Sequence, residues 1–188
     1  VTREEFIKVL KRKEYSYEIQ GDKIIVTDRR SVDLESLTSL PPGVVFKNKS
    51  YVNLKSLTSL PPGVEFKNGG NVYLTSLTSL PTGVMFKNEG RVDLDSLISL
   101  PPGVVFKNRG YVKLGSLTSL PPGVVFKNKG AVDLDSLISL PPGVEFRNGG
   151  SVYLGSVMGW FSGWEGNIEG IDSKRLLNLM ISKGLFER

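Results

Sequence analysis

From residue 31 onward, apolar and polar positions recur every twenty residues without an insertion. Six units run 31–50, 51–70, 71–90, 91–110, 111–130 and 131–150, and a seventh opens with SVYLGS at 151. Within the second unit, Val52 and Leu54 alternate with Tyr51, Asn53 and Lys55, the period-two signature of a half-buried strand. Leu57 and Leu60 follow at three-residue spacing, and Pro61-Pro62-Gly63 makes a corner. A second alternation places Val64 and Phe66 inward, with Glu65 and Lys67 outward. Asn68-Gly69-Gly70 then turns the chain back. One unit cannot bury its own apolar groups. Stacking the next unit on its open edge buries them, which predicts a parallel solenoid with neighbouring strands about 4.8 Å apart. The chirality of parallel crossovers makes it right-handed. A row of β-hairpins turning at Asn-Gly is the weaker reading, since it leaves free edges and no role for Leu57 and Leu60.

Small polar residues keep phase with the core. Asn recurs at 48, 68, 88, 108, 128 and 148, and Ser recurs at 36, 39 and their equivalents. Both are read as ladders that satisfy backbone groups left open at turns.

The ends do not repeat. In residues 1–30, Thr2 and Glu5 form a capping box ahead of Phe6, Ile7, Val9 and Leu10. Tyr15–Gln20 and Lys23–Thr27 read as a hairpin around Gly21-Asp22. Such an α/β cap would cover the first coil, whose bare edge invites association. The solenoid itself is assigned to 31–156. Residues 157–188 are read as a C-terminal cap: Trp160, Phe161 and Trp164 plug the last coil, and a helix starts at Asp172 or Ser173 with Leu176, Leu177, Met180 and Ile181 inside. An alternative use of those aromatics is a sugar platform. Lys174 and Arg175 sit in that helix's unfavourable first turn and call for a carboxylate such as Glu165 or Glu169, or a partner.

The segment L-T-S-L-P-P-G-V, preceded by V-x-L, resembles the short twenty-residue leucine-rich repeats of bacterial and phage proteins. The resemblance covers about 31–156. It implies a microbial or phage source and a V-x-L strand on the concave face. The Asn usual after that strand is missing; Ser36 and its equivalents stand near its phase. Both a horseshoe and a straighter two-ladder solenoid therefore remain open.

Composition narrows the chemistry. The chain has no Cys and no His, which excludes disulfides and thiolate sites and removes the commonest general base and metal ligand. It carries no apolar run long enough to span a bilayer, and its charged start is unlike a secretory signal, so a soluble cytoplasmic protein is expected. A formal charge of +5 does not by itself specify a partner class.

Function is expected where the scaffold leaves residues free. The outward positions of the V-x-L strands vary and are rich in Tyr, Asn, Asp and Arg, a vocabulary suited to recognition. Tyr51, Asn53, Asn71, Tyr73, Arg91, Asp93, Tyr111, Lys113 and Tyr153 are the candidate residues for binding another protein. The same columns could instead serve the stack alone: Lys113 between Asp93 and Asp133, Glu35 over Lys55, and Arg91 beside Tyr111. On the second strand, Lys47, Lys67, Lys87, Lys107, Lys127 and Arg147 form one cation per coil. This stripe is the alternative site, for a polyanion. It is otherwise a solvated flank, and the lack of interleaved aromatics argues against nucleic acid. The pairs Asp93/Asp95 and Asp133/Asp135 are spaced like glycosidase carboxylates or Ca²⁺ ligands, but they are open and lie next to an amine. The sequence is thus read as a non-enzymatic binding module, monomeric with capped ends and without cofactor or metal. A purely architectural element is a further reading.

Overall fold

The computed structural model describes residues 1–141 and 143–154. Helix α1 (Arg3–Arg12) begins at the expected capping box: Thr2 accepts from the Glu5 amide at 3.2 Å and Glu5 accepts from the Thr2 amide at 2.7 Å. Phe6 and Leu10 are fully buried, while Ile7 and Val9 pack partly covered against the same core. Strands β1 (Tyr17–Gln20) and β2 (Lys23–Val26) form the antiparallel hairpin, with Gly21 at φ 56° in its turn.

Each coil then contributes two short strands. They are β3 (Val32–Asp33) and β4 (Val44–Phe46), β5 (Val52–Asn53) and β6 (Glu65–Phe66), β7 (Val72–Tyr73) and β8 (Met85–Phe86), β9 (Val92–Asp93) and β10 (Val105–Phe106), β11 (Val112–Lys113) and β12 (Val125–Phe126), and β13 (Val132–Asp133) and β14 (Glu145–Phe146); β15 (Val152–Tyr153) opens the seventh coil. The odd-numbered strands from β3 form a seven-stranded V-x-L sheet. The even-numbered strands continue β1-β2 into an eight-stranded V-x-F sheet. Every pairing between coils is parallel and joins residues twenty apart, such as Val112 with Val132 and Phe106 with Phe126. The chain is a parallel β-solenoid of stacked twenty-residue coils; a row of hairpins is excluded. Its two ladders give the coil two sheet-bearing sides, while the backbone between them turns at corners.

The core follows the pattern position by position. The V-x-L valines from Val32 to Val132, the leucines from Leu34 to Leu154 and the phenylalanines from Phe46 to Phe146 are all buried. The phenylalanine rings stack face to face, with centroids 5.2 to 5.5 Å apart and planes within 13°. Repeating one residue at one rotamer lets each ring contact its neighbours above and below. At the corner, the glycines from Gly43 to Gly143 have φ between 71° and 78°. Positive φ at the third residue is what a type II turn requires, and glycine meets it without strain.

The Asn ladder does what its phase suggested. Asn68 Nδ2 donates to the carbonyls of Ser50, Gly70 and Asn71 at 2.9 to 3.2 Å, tying its own turn to the preceding coil. The Ser ladders do not behave as expected. Residues 36, 56, 76, 96, 116 and 136 are exposed or half-exposed, and among the described residues none of their hydroxyls bonds the backbone. They lie instead in the turn closed by Leu37 N–H to Leu34 O at 3.0 Å and its equivalents. There a short polar side chain fits a tight bend facing water.

The N-terminal segment joins the V-x-F sheet. In β2, Ile24, Ile25 and Val26 pair in parallel with Val44, Val45 and Phe46, again twenty residues on. Asp28 falls at the Asn48 phase and is 3% exposed. Its carboxylate accepts from the amides of Ser16 at 2.9 Å and Arg30 at 2.8 Å, and from Arg30 Nε at 3.1 Å. Residues 24–28 thus form half a coil ahead of the first recognisable one. The sequence readings on residues 155–188, including the plug by Trp160, Phe161 and Trp164 and the terminal helix, lie outside the described residues.

Candidate functional site

The V-x-L sheet stacks its outward side chains into columns. Asp33, Asn53, Tyr73, Asp93, Lys113, Asp133 and Tyr153 stand in successive register. Neighbours at this pitch are close enough to bond, and they do. Tyr51 meets Tyr73 edge to face, at 6.0 Å between centroids and 70° between planes. Lys55 Nζ lies 5.6 Å over the Tyr73 ring, and Asn71 Nδ2 donates to Tyr73 Oη at 2.9 Å. The Arg91 guanidinium sits 5.6 Å over Tyr111 and donates to Asp93 Oδ2 at 2.5 Å. Tyr111 Oη donates to Asp133 Oδ2 at 2.8 Å, and Lys113 Nζ donates to Asp95 Oδ2 at 2.5 Å.

Of the candidate residues, Tyr51 and Tyr153 are exposed, at 38% and 49%. Asn71, Tyr73, Arg91, Tyr111 and Lys113 are half-buried. Asn53 and Asp93 are covered by their column neighbours, at 8% and 6% exposed, as is Asp133 at 8%. They hold the surface in place more than they offer it to a partner. Asp93 and Lys113 stand in register as read from the sequence, but the Lys113 amine turns to Asp95 in the adjacent column. Glu35 accepts from Asn53 at 3.3 Å, and Lys55 turns to Tyr73. Lys55, Asp95 and Asp133 therefore belong to the network, although the sequence reading did not include them among the binding residues. Their positions twenty residues from, or two beside, the chosen ones were the available signal.

Electrostatics stiffen this face. Burial, then the bond to the Asp133 carboxylate, pushes the Tyr111 hydroxyl well above the ordinary phenol range, so it stays a donor. The Asp95 carboxylate likewise raises Lys113 and keeps it charged. Three of the four candidate acids are bonded: Asp93 to Arg91, Asp95 to Lys113 and Asp133 to Tyr111. Among the described residues, no group of three or more acidic side chains is placed to hold a metal ion.

The alternative cation column is exposed along its full length, at Lys47, Lys67, Lys87, Lys107, Lys127 and Arg147. It is not uniform. Glu65 receives Lys67 and, at 2.9 Å, Lys23; Glu145 receives Arg147 at 2.7 Å. Lys23 then Lys67 hold the Glu65 carboxyl below its usual range.

Fold and surface together define a class: a repeat protein of the parallel β-solenoid kind, with a preorganised polar face on one ladder. No protein-family model, curated protein or solved structure matches the chain. Among the described residues no helix is long and apolar enough to cross a membrane.

Proposed function

We propose that the chain is a non-enzymatic binding module that recognises another protein through the outer face of the V-x-L sheet. We read it as a right-handed, leucine-rich-repeat-like solenoid of microbial or phage origin, acting as a monomer. One observation carries the reading: variable aromatic and charged side chains are locked to one another on an invariant framework. Tyr51 meets Tyr73 edge to face, Asn71 donates to Tyr73 Oη and accepts from the Arg91 amide, and the Arg91 guanidinium lies over Tyr111. Side chains already ordered in the free protein lose little entropy on binding, so their contact energy goes into affinity. Tyr and Arg are also the types that dominate interface energetics.

The test is a photo-cross-linker at position 153, used in an extract of the native host. The wild-type chain should label a discrete protein that the triple variant Tyr51→Ala, Tyr73→Ala, Tyr111→Ala labels at least about tenfold less, each anchor contributing about 1–2 kcal/mol or more. Equal labelling by a folded triple variant would reject this face.

A further inference from the structure

The column of cations beside the V-x-F strands is divided by the residue two places before each one. Where that residue is glutamate, at 65 and 145, the chain neutralises its own Lys67 and Arg147. In the three coils between, the residues are Met85, Val105 and Val125, and no carboxylate among the described residues pairs with Lys87, Lys107 or Lys127. The adjoining positions bring Glu89, Arg109 and Lys129, of which Glu89 and Arg109 cancel at 2.9 Å. This stretch of flank therefore sets five cations against one carboxylate.

The same three coils leave apolar surface open. Met85 is 36% exposed, and Val105 and Val125 are half-buried. Val45, in the same column, is only 2% exposed, where Lys23 reaches past it to Glu65. Between the third and fourth coils the surface is notched by about 250 Å³, lined by Met85, Val105, Pro102, Gly103 and Lys107 among others. Gly83 and Gly103 present backbone there, and a Cβ on either would meet nothing within 4 Å.

We propose that this patch of the V-x-F sheet binds an acidic protein segment that inserts an apolar side chain into the notch and sets carboxylates against Lys87, Lys107 and Lys127. Charge complementarity selects the sign of the occupant. Concavity selects a side chain over a flat lipid surface, which would need protruding apolar groups. The apolar row selects a mixed segment over a bare polyanion. The patch lies on the other sheet from the Tyr face, so its loss leaves the proposed protein-binding face intact.

The test uses the full chain and labelled peptides of repeating Glu-Glu-Leu, of Glu alone and of Gln-Gln-Leu, followed by fluorescence anisotropy. The Glu-Glu-Leu peptide should bind at low salt at least about tenfold tighter than either control, and added salt should weaken it. Binding should fall by roughly tenfold or more with Lys87→Gln, Lys107→Gln, Lys127→Gln combined, and separately with Val105→Thr, Val125→Thr, while Lys67→Gln changes it less than about twofold. The exposed lysines can be replaced without touching the core, and circular dichroism verifies each fold. Equal binding of the Glu-only peptide or of a single-stranded oligonucleotide would overturn the proposal in favour of a general polyanion site. So would capture by phosphatidylserine vesicles without peptide binding, self-association abolished by the triple Lys variant, or no binding at all. A carbodiimide cross-link from Lys107 to Glu165 or Glu169 in the free chain would give the patch to the chain's own acids and overturn it too.

Discussion

The two sheets share one core and one register, yet their outer surfaces have opposite character. On the V-x-L sheet polar side chains bond one another within and between coils: Arg91 with Asp93 in one coil, Lys113 with Asp95 and Tyr111 with Asp133 across coils. On the V-x-F sheet the middle coils leave Lys87, Lys107 and Lys127 without one among the described residues, beside Met85, Val105 and Val125. A repeat fixes the positions where side chains meet, and substitution within the repeat decides whether they satisfy one another. One face is bonded to itself; among the described residues the lysine column in the middle coils of the other is not.

Several substitutions test that contrast. The largest effect should come from the framework both faces share. Phe106→Ala removes a ring stacked between Phe86 and Phe126 and should cost about 3–5 kcal/mol in urea unfolding, disturbing both faces together. The next concerns Asp28, which anchors the first half-coil under the V-x-F sheet. The Arg30 side chain, together with the Arg30 and Ser16 amides, holds this carboxyl well below the usual Asp range. A depressed folded pKa means its contribution is complete above the ordinary Asp value of about 3.9 and fades as pH falls through the lower folded value. Asp28→Asn should therefore destabilise the chain at pH 7 and lessen the drop in stability on acidification. Unfolding midpoints measured at neutral and acid pH check both signs.

Smaller effects separate the faces directly. Asp93→Ala strands Arg91 in a half-buried setting and should cost about 1–2 kcal/mol. Lys107→Ala, at an exposed position with no ion pair among the described residues, should stay within about 0.5 kcal/mol. Equal costs at the two positions would erase the distinction between a self-bonded and an open surface.

The sequence carried the coil, the core and both strands of each unit, because identical residues at a fixed period leave one way to stack. The capping box at Thr2 and the Arg91–Tyr111 contact were readable for the same reason: each depends on short, fixed spacing. Three features were not. The half-coil at Ile24, Val26 and Asp28 keeps the spacing of Val44, Phe46 and Asn48 but none of their identities, so it looked like a plain hairpin. The Ser columns repeat as strictly as Asn, yet one set bonds the backbone and the other lines exposed turns; periodicity alone cannot tell a bond from a bend. The division of the Lys column depends on side-chain reach, as when Lys23 spans two coils to Glu65. A twenty-residue period does not encode that reach.

The claim beneath all of this is that residues twenty apart are nearest neighbours on the surface. The chain contains no cysteine, so a pair of them can report it cleanly. In Lys107→Cys, Lys127→Cys, Cα atoms about 4.8 Å apart fall within the span a disulfide bridges, whereas Lys107→Cys, Arg147→Cys places them roughly 10 Å apart, beyond it. Mild oxidation should close an intramolecular bond in the first variant and not in the second. Failure of the first pair to close, or closure of both at the same rate, would contradict the register on which both faces depend.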